Sequence, residues 1–172
     1  MVTKTKRSTR FDALQHAINI YRLESEKCKR SRAYLAGCIL QGALLEASLT
    51  SMALVYRESV SKTRRYRRVK DRIDSQYHRS VRWLRDFSLA DLEAIAIELR
   101  WVIGLQRELE VLRDTRNLIH PGKYADESGK RKPINRRYYQ SHYAKLLRIT
   151  DALYNKLEKS LREAMRREGM KV

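Results

Sequence analysis

Apolar residues recur along this chain at the spacing of helices, not of strands. From about Phe11 to Lys29, Phe11, Leu14, Ile18, Tyr21 and Leu23 return at helical intervals among polar neighbours, which predicts an amphipathic first helix. The basic cluster Lys27, Lys29, Arg30 and Arg32 either continues that helix or ends it. Between Ala33 and Tyr56 the sequence is apolar or small, and Glu46 is its only charge, so this stretch predicts the central buried helix. A transmembrane span is the alternative. Gln41, Glu46, Ser48, Thr50 and Ser51 weigh against it, since a charge at mid-bilayer costs about 3 kcal/mol.

The next stretch is basic, with Lys62, Arg64, Arg65, Arg67, Arg68, Lys70 and Arg72 interrupted by Asp71 alone among acids. Val69, Ile73, Tyr77, Val81 and Leu84 would anchor it as a helix. Such a run is either a solvated face or, with Tyr66 and Tyr77 interleaved, a surface for phosphates. Ser88 and Asp91 form a capping-box pattern, predicting a short helix that turns Leu89, Leu92, Ile95, Ala96 and Leu99 inward. Gly104 marks a break. A further helix should run from about Leu105 to Ile119 and stop at Pro121-Gly122. Residues 121–133 read as an exposed loop. A long helix follows over 134–169, carrying Tyr139, Tyr143, Leu146, Leu147, Leu153, Leu157 and Leu161 on one face.

These elements predict an all-α fold, an antiparallel bundle of about five or six helices. A chain of 172 residues suits one domain, with residues 1–10 as a basic tail. Six glycines and two prolines leave few places where a helix must stop.

Charge changes the picture most. Against 20 acidic residues stand 38 Lys and Arg, a formal +18 whose self-repulsion a polyanion would relieve. Nucleic acid is the expected partner, RNA first and DNA second. An anionic membrane is the rival, but Met1 to Arg10 lacks the apolar core of a signal peptide, so a cytoplasmic location without membrane association is expected. Cys28 and Cys38, ten residues apart along helical sequence, would sit about 15 Å apart and stay reduced. With neither CxxC nor HExxH, and His16, His78, His120 and His142 scattered, no metal or other cofactor is expected.

Candidate chemistry lies on the helix before Pro121. Leu105, Leu109, Leu112, residue 116 and Ile119 alternate four and three apart as a buried seam, yet residue 116 is Arg. A buried guanidinium needs a carboxylate, carbonyls or a phosphate. Glu46 poses the mirror problem, so it is expected to pair with Arg116 or Arg113. Otherwise Arg116 snorkels to the surface and Glu46 bonds a Ser or Tyr hydroxyl. Arg113 and His120 are seven apart and share a side with Asn117. Arginine offers a fork of donors to phosphate oxygens and imidazole moves protons near neutral pH. Together they could cleave RNA without metal, His120 activating the 2′-hydroxyl or protonating the leaving oxygen.

The segment LRDTRNLIHPGKY, Leu112 to Tyr124, resembles the signature helix of the HEPN superfamily of helical domains. LAGCILQGALLEASL resembles that family's apolar second helix with its embedded glutamate, and SLADLEAIAIELRWV the short helix before the signature. The family motif is an Arg followed by a polar residue, with four to six residues before a His. Arg113-Asp114 fits, with six residues before His120, whereas Arg116-Asn117 leaves only three. The resemblance implies a metal-independent endoribonuclease, of toxin-antitoxin or phage-defence type, acting as a homodimer with an antitoxin or nucleoprotein partner. It carries the arginine role to Arg113 and Arg116, the polar neighbour to Asn117 and the base to His120. Other members only bind, and a non-catalytic RNA- or DNA-binding scaffold is the alternative.

Overall fold

The computed structural model describes residues 2–83, 85–117 and 136–167, the side chains of residues 2–10, 112, 116, 160, 161 and 164–167 excepted. Within that range every regular element is helical: α1 (Val2–Arg30), α2 (Tyr34–Val55), α3 (Arg57–Ser61), α4 (Arg64–Tyr77), α5 (Leu89–Glu98), α6 (Gln106–Asn117) and α7 (Arg136–Arg167). The expected loop over 121–133 lies outside the described residues.

The first helix starts at Val2, so the basic segment expected as a tail is helical. No Gly or Pro precedes Gly37, and nothing in that backbone stops a helix. It ends where Arg32 turns left-handed at φ 59° and the Ala33 N–H donates back to the Cys28 carbonyl at 2.8 Å. This reversal corrects the picture of Cys28 and Cys38 on one helical run. They belong to two helices packed side by side, with Cys28 beside Gly37, and both thiols are free. Burial pushes the Cys38 thiol up to about 12.

α2 is the centre of the molecule, covered by α1 on one side and α7 on the other. Leu44, Leu45, Leu49 and Met52 are fully buried there, against Ile18 of α1 and Leu146, Ile149, Leu153 and Leu157 of α7. Among the described residues α2 is the one helix long and apolar enough to span a bilayer, and most of it is buried within the bundle. A chain of polar groups crosses this core. The Gln41 amide donates to the Ser25 hydroxyl at 2.7 Å, Ser25 and the Tyr143 hydroxyl meet at 2.8 Å, and the Thr150 hydroxyl donates to the Gln41 carbonyl oxygen. Gly37 admits the Tyr143 ring, since a Cβ there would lie 2.7 Å from the ring's Cε2.

Contacts between α2 and α7 advance together: Tyr34 with Arg136, Cys38 with Tyr139, Gln41 with Thr150. The two helices are therefore parallel, and the bundle is not antiparallel throughout. α7 therefore starts at the level where α2 began.

Between α2 and α7 the described residues form α3 to α6. Thr63 caps α4, accepting from the Tyr66 N–H at 3.1 Å, and Val69 and Ile73 bury its apolar side. α4 stops at left-handed His78, which leaves Tyr77 exposed and not the anchor expected of it. Half-buried Val81 lies beyond the helix, and Leu84 is outside the described residues. Asp86 organises this connection, receiving both Arg79 guanidinium nitrogens at 2.7 and 2.8 Å and the Arg82 N–H at 2.6 Å. The capping box of α5 forms as the sequence predicts. Gly104, at φ 76°, makes the predicted break before α6.

Candidate functional site

Helix α6 carries the Arg–His sequence. Its seam is formed by Leu109, fully buried, and half-buried Leu105. Arg113 and Asn117 are half-buried and Asp114 is exposed. The side chains of Leu112 and Arg116, and all of Ile119 and His120, lie outside the described residues. The carboxylate that meets Arg113 is Glu93 of α5, with 3.6 Å between Arg113 Nη1 and Glu93 Oε2. Glu93 keeps only 5% of its side chain exposed, Arg113 43%. A buried carboxylate thus holds one nitrogen of a guanidinium that still reaches solvent, and desolvating such an anion without a cation would cost several kcal/mol. Glu46 is half-buried on α2. Its expected pairing with Arg116 lies outside the described residues.

Glu93 was legible in principle. It occupies the fourth place after Leu89 in the stripe Leu89, Leu92, Glu93, Ala96, the same misfit that marks Glu46 and Arg116.

The basic segment divides by the sides of α4. Arg65 Nε donates to Asp91 at 2.7 Å and an Arg72 nitrogen lies 3.5 Å from the same carboxylate. Asp91, 1% exposed, also closes the α5 capping box with Ser88. Burial alone would raise its carboxyl, but bonds from Ser88 and Arg65 hold it below the ordinary range. Arg65 and Arg72 are therefore fasteners between α4 and α5. Lys62 pairs with Glu58 at 2.7 Å. The outer side keeps Arg64, Arg67, Arg68 and Lys70 exposed. The α4 helix start is already occupied by an anion, since Glu98 accepts from the Arg64 and Arg65 N–H groups at 2.8 and 3.4 Å. Contact with phosphates there falls to the long side chains.

Beside this face Tyr66, Trp83 and Phe87 form an aromatic cluster, ring centroids 5.4 to 6.1 Å apart, and Arg57 lies 4.6 Å over Trp83. The Trp83 ring is thus in contact with Tyr66, Phe87 and Arg57 of the same chain. Among the described residues no group of three or more His, Cys, Asp or Glu side chains is arranged to hold a metal ion. Comparison with known proteins gives no match: no family model, no curated protein and no solved structure is significantly similar to this chain.

Proposed function

We propose that the protein binds RNA and cleaves it as a metal-independent endoribonuclease of HEPN type, working as a homodimer. The observation that carries this reading is Arg113: a guanidinium tethered by a buried carboxylate, half open to solvent, on the helix whose sequence resembles the HEPN signature. An arginine drawn toward a buried carboxylate in this way can offer its remaining donors to the charge that develops on a phosphorane. Asn117, one turn further along, adds a neutral donor and acceptor. His120 supplies the proton transfer that the resemblance assigns to it. The net charge of +18 draws the polyanion in.

The test is incubation of pure protein with total RNA in EDTA, wild type beside His120→Ala. Cleavage by the wild type that is lost in the variant supports the enzyme. A second reading, a non-catalytic RNA or DNA binder, is favoured by the exposed outer side of α4, which is basic yet distant in sequence from the signature helix. Retention of RNA without cleavage by either protein selects it.

A further inference from the structure

A phosphate needs cations, but an unpaired base needs an apolar surface beside them. We propose that single-stranded RNA seats one nucleotide in the groove between the start of α2 and the start of α7, its base against Leu35 and Ile39 and its phosphate on Arg32 and Arg136. This rests on the RNA-binding half of the proposed function and on neither the cleavage step nor its residues.

The groove has a volume of about 510 Å³, inside the range of roughly 300–1,000 Å³ common for small-ligand sites. Arg32, Tyr34, Leu35, Ile39 and Arg136 are among the residues that line it. Leu35 and Ile39 stand one turn apart on α2 and keep 44% and 36% of their surface exposed, although they belong to the central helix of the molecule. The Arg136 guanidinium lies over the Tyr34 ring, 6.0 Å from its centroid, and Tyr34 in turn meets buried Tyr143 with centroids 6.3 Å apart. An aromatic pair thus holds one of the two cations at the groove.

The backbone places the other. α1 ends in a Schellman turn, in which the Ala33 N–H donates to the Cys28 carbonyl at 2.8 Å and the Arg32 N–H to the Lys29 carbonyl at 3.1 Å. Such a turn needs a left-handed residue at position 32, where glycine is usual because it has no Cβ to clash. The chain puts an arginine there, at φ 59°, with its side chain exposed at the groove. Glycine in its place would remove the charge and relieve the turn at once, which separates binding from stability.

The sign of the groove is uniform. None of its described lining residues is acidic, the first turn of α2 carries no acid, and Lys29 and Arg30 are exposed at the end of α1 just before Arg32. Two other surfaces lack this combination. The cavity between α1 and α7 sets Glu26 and Asp151 beside Arg22, so it does not favour a polyanion. The outer side of α4 has the cations, but its exposed large apolar residue, Tyr77, stands at the opposite end of the helix from Arg64. That side suits the strand's backbone, whereas the groove also takes a base. In a duplex the bases are already stacked and paired, so the seat favours a single strand.

The probe is a fluorescein-labelled 2′-O-methyl oligouridylate, which has no 2′-hydroxyl to attack its own phosphate, so binding is read apart from cleavage. Anisotropy titrations across a salt series compare wild type with Arg32→Gly, Arg136→Gln and Leu35→Ser, with thermal melts alongside. Arg32→Gly is expected to melt no lower than wild type yet to bind about tenfold more weakly, and Arg136→Gln to lose about as much. Each should flatten the slope of log affinity against log salt by about 0.7, the value of one phosphate contact. Leu35→Ser should bind about fivefold more weakly with its slope unchanged, since it removes apolar contact alone. A 2′-O-methyl duplex with the same number of phosphates should bind wild type and Leu35→Ser equally. Wild-type affinity and slope in folded Arg32→Gly and Arg136→Gln overturn the groove and leave RNA binding itself intact. A duplex that weakens on Leu35→Ser as the single strand does overturns the seat for an unpaired base. Wild type that does not retain the single strand overturns the RNA reading and the groove with it.

Discussion

Asp86 shows how one carboxylate sets a loop. The bonds from Arg79 come first, with the Arg82 N–H adding to them against the cost of burial, and together they hold its carboxyl at about 2, below the ordinary 3.8. A depressed folded-state value means the stabilisation is fully present above about pH 4 and disappears as pH falls through about 2. Asp86→Asn is therefore expected to lose about 1 kcal/mol at pH 7, a modest figure because Arg79 is partly solvated, and almost nothing at pH 2. Urea unfolding of both proteins at the two pH values measures it; an equal gap at both would refute the linkage. At this scale the sequence was partly readable. Arg113 stands out there by its spacing to His120, and its carboxylate partner follows from the same stripe argument applied to α5, where Glu93 interrupts Leu89, Leu92 and Ala96.

Helix by helix, local patterns were sufficient wherever a terminus is chemical. Ser88 and Asp91 start α5, and Gly104 breaks the chain before α6, as their side chains dictate. Ends without such a marker were missed: α1 runs on to Val2, and α4 stops at His78 without Gly or Pro. The basic run also looked uniform in sequence, although the geometry of α4 gives its members two different tasks. Arg65 and Arg72 face Asp91, so replacing them should weaken the α4–α5 joint, whereas Arg64, Arg67, Arg68 and Lys70 face outward. Changing those four to Gln, a good helix former, should leave helicity intact and flatten the dependence of log affinity for single-stranded RNA on log salt by about two units, at about 0.7 per lost phosphate contact. Filter binding between low and moderate salt reads the slope, and an unchanged value would make this side of α4 a solvated surface.

For the molecule as a whole, a homodimer needs a face that a second copy can cover. Ile20 and Leu23 of α1 are exposed apolar residues of this kind. Light scattering across a dilution series, run beside the cleavage assay, is expected to show a rate that falls more steeply than chain concentration as dimers dissociate. A rate that stays proportional to chain concentration while the dimer dissociates would overturn the homodimer. The all-α class followed from periodicity and from scarce Gly and Pro, but the parallel course of α2 and α7 did not, because it depends on contacts such as Gln41 with Thr150 that lie far apart in sequence. The polar chain from Ser25 through Gln41 to Thr150 has a kinetic meaning as well. It joins the first helix to the seventh across 118 residues between Ser25 and Tyr143, and α2 has its second cover only when α7 arrives. Closing so long a loop is an entropic cost met before its contacts give any return, so the hairpin of α1 and α2 can form early while the core waits for docking of α7. Until then Gln41, aligned to meet Thr150, marks the side of α2 that only the correctly registered α7 can satisfy, and a slipped α7 would leave its amide buried without a partner.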